Sequence, residues 1–140
     1  MSIANFKWSS PPKALEWKNN DTVEFLIEDF HDSEQNGKPQ LNLEVRVISS
    51  AKSDEFIGEK TILYFPFTTK NGSVNKSTYW FLHKFFQEQL ENSFPIPYEQ
   101  LRNKTFSCIS VITPYTTNQG EDKTYCFFKD YKNLGEQEGF

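Results

Sequence analysis

The sequence predicts a mainly β domain in which five strands carry a single helix between the third and the fourth. Three observations lead there. Tyr79 to Leu90 is the only stretch with a sustained helical period: Tyr79, Leu82, Phe85, Phe86 and Leu90 gather on one side, and Lys84, Gln87, Glu88 and Glu91 fall opposite. On either side of it, apolar residues alternate with polar ones as in half-buried strands. The third is a surplus of rings, since 16% of the 140 residues are aromatic and fourteen are Phe.

In chain order, residues 1–20 form an arm without regular period. Pro11-Pro12 prevents a helix there, while Phe6, Trp8, Leu15 and Trp17 are poor choices for a free tail. The arm is expected to lie on the domain or on a ligand, or to place Trp8 and Trp17 as a plug at one end of a small barrel. The domain spans 21–131. Thr22 to Phe30 is its first strand, with Val23, Phe25 and Ile27 facing one way and Glu24, Leu26 and Glu28 the other. Gln35-Asn36-Gly37-Lys38 follows as a hairpin turn, because Asn-Gly accepts positive φ. Gln40 to Ile48 is the clearest half-buried strand: Leu41, Leu43, Val45 and Val47 alternate with Asn42, Glu44 and Arg46, so Arg46 faces out. Lys60 to Thr68 is apolar on both faces, and Pro66 fits only an edge or a bulge. Tyr64 is therefore crowded outward. The helix is expected at 77–91, capped by Ser73, Asn75 or Ser77. Within it Trp80 points into the polar sector and Phe81 sits at the rim of the apolar one, so both rings need a further partner. Lys104 to Thr113 and Lys123 to Tyr131 are the last strands, the latter with Tyr125, Phe127 and Tyr131 on one face. Residues 132–140 close the chain as a short acidic tail.

A charge of -4, with 24% charged residues and a mean hydropathy of -0.67, fits one soluble domain and argues against general coating of nucleic acid. Distribution matters more than the total. Acids cluster at Glu28–Glu34 and Asp54–Glu59, whereas Lys60, Lys70, Lys76 and Lys84 flank the third strand and the helix. With no signal-peptide core and no long apolar run, the reading is an intracellular protein, and the sequons carry little weight. Cys108 and Cys126 have no zinc spacing and read as reduced core residues; a disulfide is the lesser alternative.

Three strands, a helix and two strands is the element order of the OB-fold, a five-stranded barrel closed at one end by that helix. Two further features point to a family. A Gly-containing polar loop, a Phe-rich helix and Leu101-Arg102-Asn103-Lys104 opening the fourth strand resemble small phage-type single-stranded DNA-binding proteins, with Asn103 where their phrase has Gly. Leu134-Gly135-Glu136-Gln137-Glu138-Gly139-Phe140 resembles the acidic tips, ending in an aromatic, of bacterial and phage single-stranded DNA-binding proteins. The resemblance implies binding of single strands in replication or recombination, in the host bacterial cytoplasm, with no cofactor or metal. It also implies that Glu136, Glu138 and Phe140 recruit partner proteins.

A groove of exposed rings with a few Lys or Arg holds a strand without reading it. The ring candidates are Trp8, Trp17, Tyr64, Phe65, Phe67, Trp80, Tyr115, Tyr125 and Phe127, about half of them expected in the core. OB-fold geometry puts Lys38, Arg46, Lys60, Tyr64, Tyr115, Lys123, Tyr125 and Lys129 at or near the cleft, with Arg46 and Tyr64 foremost. Among rivals, Glu28-Asp29-Phe30-His31-Asp32 is the only dense set of metal ligands; a strand there would put Glu28 and Asp32 on one face and Asp29 and His31 on the other. His83 reads as a boundary residue. No phosphate loop or nucleophile motif appears, so the expectation is a binding protein, not an enzyme. The second reading is the same barrel with its rings turned to a protein partner.

Overall fold

The computed structural model describes residues 15–52 and 54–137. Five strands and one long helix follow in the expected order: β1 (Thr22–Gln35), β2 (Lys38–Ser50), β3 (Lys60–Pro66), α1 (Lys76–Glu91), β4 (Lys104–Thr116) and β5 (Asp122–Glu136). Short 3-10 turns at Asp54–Phe56 and Tyr98–Leu101 complete the described elements. All strand pairs are antiparallel, in one sheet ordered β3-β2-β1-β4-β5. The β1–β2 turn is the expected one, with Asn36 at φ 55° and Gly37 at φ 77°, the left-handed pair that matches strand twist. Asn103 takes φ 69°, a conformation Asn tolerates, and its N–H donates to the Ile27 carbonyl at 2.8 Å.

No hydrogen-bonded ladder joins β3 to β5, so the sheet is not closed into a barrel. It does curl. The Phe65 ring of β3 comes within 6.1 Å of Tyr131 of β5, centroid to centroid. α1 packs beside that junction, started by Asn75, whose side chain accepts from the Thr78 N–H. Phe81, expected at the rim of the apolar face, is fully buried. It stacks on Phe65 at 4.3 Å and meets Phe106 and Tyr131 edge-on at 5.1 and 4.9 Å. A second ring cluster fills the other part of the core: Trp17 stands edge-on to Phe25, Phe56 and Phe128 at 5.4–5.7 Å. Trp17 is thus half-buried against the core, and Trp8 lies outside the described residues. Between the clusters run Val23 and Ile27 from β1 and Leu41, Leu43, Val45 and Val47 from β2, all fully buried as their alternation requires.

Two bulges change which way side chains point. Between Ile27 and Asp29 the β1–β2 register shifts by one, so Glu28, Asp29 and His31 all end on the outer face, the last two beside Glu44 and Asn42. The expected opposition of Glu28 and Asp29 is lost. Opposite Cys108, β5 carries one extra residue, with Asp130 at φ 55°, and this turns Tyr131 into the core, away from Tyr125 and Phe127. The C-terminal residues also differ from expectation. β5 runs through Glu136, so 132–136 are strand and not tail. Cys108 is buried and Cys126 half-buried; both are free thiols, and burial pushes both above the ordinary thiol range. No helix among the described residues is long and apolar enough to cross a membrane.

Candidate nucleic-acid interface

On β5 the outward residues are Lys123, Tyr125, Phe127 and Lys129, opposite Tyr115, Thr113, Val111 and Ile109 of β4. Period-two geometry therefore lines rings along one face of the β4–β5 hairpin. Tyr115 lies 5.8 Å from Tyr125, and Tyr125 lies 6.0 Å from Phe127. Each of these rings is more than 40% exposed. β3 contributes Ile62 and Tyr64, outward because Leu63 and Phe65 face Leu43 and Leu41; Tyr64 is 59% exposed. Pro66 sits on this strand where an edge tolerates it.

The facing edges of β3 and β5 enclose a cleft of about 330 Å³ lined by Ile62, Tyr64, Phe65, Cys126, Phe127 and Phe128, with Trp17 at its floor. It runs on, through Ser77, Phe127 and Tyr131, into a groove of about 440 Å³ between α1 and β5. Trp80 and Lys84 stand on the helix side of that groove, Phe127 and Lys129 on the strand side. Trp80 is 53% exposed, as its helical position predicts. Neither Lys84 nor Lys129 makes an ion pair with another described residue. The arrangement is an apolar track, studded with rings and flanked by two ammonium groups that make no such ion pair, with Asp130 lining the same groove.

The expected site residues divide. Tyr64, Tyr115, Tyr125 and Lys129 belong to this track, and Lys123 stands at the hairpin tip, 3.6 Å from Glu121. Lys38, Arg46 and Lys60 do not. Arg46 faces outward, but its Nε meets Glu28 Oε2 at 3.2 Å and its Nη1 donates to the Gly58 carbonyl at 2.8 Å. Lys60 reaches the other Glu28 oxygen at 3.5 Å. Lys38 donates to the carbonyls of Thr69 and Lys70 at 3.0 and 2.7 Å, tying the hairpin to the loop before α1. Phe127 and Trp80, named among the ring candidates, and Lys84, named among the flanking lysines, are residues of the track that OB-fold geometry did not place at the cleft. The signals for them were Trp80's place in the polar sector and Lys84's place one turn further on.

Of the remaining ring candidates, Phe65 is buried and Phe67 packs against the core. The acidic segment lies on the other outer face. Ligand atoms of Asp29, His31 and Glu44 fall within 4.8 Å of one another, yet they already have partners. Asp29 Oδ1 accepts from the Phe30 N–H at 2.8 Å and from Arg102 Nε at 3.0 Å, and these bonds hold its carboxyl below the ordinary value. His31 Nε2 lies 3.1 Å from Glu44 Oε2. The same Arg102 covers the Phe30 ring at 4.7 Å. At the C-terminus, the exposed Glu136 carboxylate pairs with Lys104 at 3.3 Å across β4 and β5, while Glu138 and Phe140 lie outside the described residues.

The chain matches no model of a known protein family, and no curated protein is similar to it in sequence.

Proposed function

We propose that this protein binds single-stranded DNA without reading its sequence, in replication or recombination, after the manner of phage-type single-stranded DNA-binding proteins. The observation that carries this reading is the track of exposed rings from Tyr115 through Tyr125 and Phe127 to Tyr64 and Trp80, with Lys84 and Lys129 beside it. Every base has a π-face, so such a track holds any sequence, each stacked base contributing about 1–3 kcal/mol, while the lysines meet phosphates. On this reading the curled sheet is a partly open OB-fold barrel with α1 at one end, and the strand crosses its open side. Binding of this kind requires no catalytic group and no cofactor. Glu138 and Phe140 then form a short acidic and aromatic tip that recruits replication or recombination proteins.

Titration with oligo-dT, followed by tryptophan fluorescence, tests the reading. Trp80 is the exposed indole among the described residues, so stacking quenches it, and added salt restores the signal in part. Duplex DNA of equal length binds much more weakly. Unchanged fluorescence and no mobility shift would refute the reading and favour a protein partner for the same rings.

A further inference from the structure

We infer that the bound strand does not end with its stacked bases: its sugar-phosphate backbone runs on into a second, ring-free pocket between the β1–β2 turn and the loop before α1, held there through phosphates. This path presupposes the single-strand binding proposed above and lengthens its site. Opposite residues of paired strands share a face, so Tyr64 and Pro66 of β3 lie on the same outer face as Asn42 and Gln40 of β2, with Lys38 two residues further along. Lys38 in turn stands opposite Gln35 of β1. The outward face that carries Tyr64 therefore continues to Lys38. A pocket of about 660 Å³ opens there, twice the volume of the cleft. Pro66 and Asn75 line both, so the two join at the end of β3.

The lining of this pocket is chemically unlike that of the cleft. Among the described residues, no aromatic ring and no carboxylate lines it. Amide and hydroxyl groups, such as those of Gln35 and Thr69, accompany the ammonium groups of Lys38 and Lys70. Neither lysine makes an ion pair with another described residue. The loop that carries Lys70 is fastened in place. Lys38 Nζ donates to the Thr69 and Lys70 carbonyls at 3.0 and 2.7 Å, the Thr69 N–H to the Ser73 carbonyl at 2.8 Å, and the Asn75 N–H to the Phe67 carbonyl at 3.0 Å. Carbonyls engage the Lys38 ammonium without neutralising it, so Lys38 positions the loop and the exposed Lys70 meets the strand. Cations without carboxylate partners, beside polar groups and with no surface for a base to stack on, suit phosphates and not bases.

Where phosphates suffice, bases are dispensable, and labelled probes read this directly in the full chain. The first is oligo-dT of about six nucleotides, within the span of about 4–16 that one such fold covers; the others are the same oligomer extended by about eight abasic residues on its 5′ or its 3′ side. One extended probe should bind more tightly than the short one, and added salt should erase the gain. Lys70→Gln keeps the backbone carbonyl that Lys38 grips. It should flatten the plot of log affinity against log salt for that probe by about 0.7 units and leave the short probe unchanged. Lys70→Glu should abolish the gain. An extension that gains as much in Lys70→Glu as in the parent overturns the inference, as does a gain seen with dT extensions but not with abasic ones. Binding of the short probe with no gain from either extension removes the second pocket and keeps the rings. No binding of any probe removes the DNA reading and this path together.

Discussion

The outer face of β1–β2 and the outer face of β4–β5 belong to one sheet, yet they are built for opposite tasks. On the first, Arg46 and Lys60 converge on Glu28, and Arg102 on Asp29, so cations and carboxylates cancel in pairs. On the second, Tyr115, Tyr125 and Phe127 form the surface, and Lys129 and the neighbouring Lys84 keep their charge. A lysine or arginine is a phosphate ligand only where its cross-strand neighbours leave it free. The comparison therefore locates binding by which cations are already taken: those of the first face are paired with carboxylates, whereas Lys84 and Lys129 make no ion pair with another described residue.

The largest effect separates core from surface on a single helix. Phe81→Ala should cost about 3–5 kcal/mol in urea unfolding, because a fully buried ring stacked on Phe65 is lost. Its neighbour Trp80→Ala should change stability by less than about 0.5 kcal/mol and still weaken oligo-dT binding. Equal destabilisation by both would erase the distinction. Next, Tyr125→Ala/Phe127→Ala should lose at least about 30-fold in oligo-dT affinity at high salt, since two rings at roughly 1–3 kcal/mol per stacked base together contribute about 2–6 kcal/mol. Arg46→Ala, on the opposite face, should bind nearly as the parent does. A larger loss with Arg46→Ala would return the site to β2–β3.

Charge gives a smaller and more specific readout. Lys84→Gln/Lys129→Gln should flatten the plot of log affinity against log salt by about 1.4 units, as expected when two phosphate contacts to a single strand disappear. Lys60→Gln should leave the slope unchanged. The smallest effect is on acid stability. The Phe30 amide, and then Arg102, hold the Asp29 carboxyl below its ordinary value of 3.8. Its contribution is complete above that value and fades as pH falls through the lower folded one. Asp29→Asn should remove this part of the acid limb in thermal melts, with little effect on DNA binding. A melting curve whose acid limb is the same in both proteins would show the bonds to be immaterial.

Much of the architecture was legible because it is written locally. The Asn36-Gly37 turn, the alternation of Leu41 to Val47 and the period of Tyr79 to Leu90 each depend on residues within a turn or two of chain. The site was legible in part for the same reason. Tyr64, Tyr125 and Lys129 follow from alternation, whereas the neutralisation of Arg46 and Lys60 depends on how β1, β2 and β3 pair, which brings the outward Glu28 beside both. Tyr131 changed faces through a left-handed residue, Asp130, that no period announces. Phe81 looked marginal because helical periodicity ranks residues by angle, and the core here wraps around the helix from both β3 and β5.

The fastening of Asp21 bears on how the chain acquires this shape. Its carboxylate accepts from Ser50 Oγ and from the Lys52 N–H, while its own N–H donates to Ser110 Oγ, a residue 89 positions away. The two hairpins, β1–β2 and β4–β5, are local and can form early; joining them along β1 and β4 closes nearly the whole length of the domain. That seam belongs to the late part of folding. Ser110→Ala is then expected to speed unfolding and leave the folding rate near the parent's. Folding slowed in proportion to the stability lost would instead put the seam in the nucleus. A seam that closes last is also among the first to open, so the buried fastening at Asp21 sets the lifetime of the folded chain more than its rate of formation.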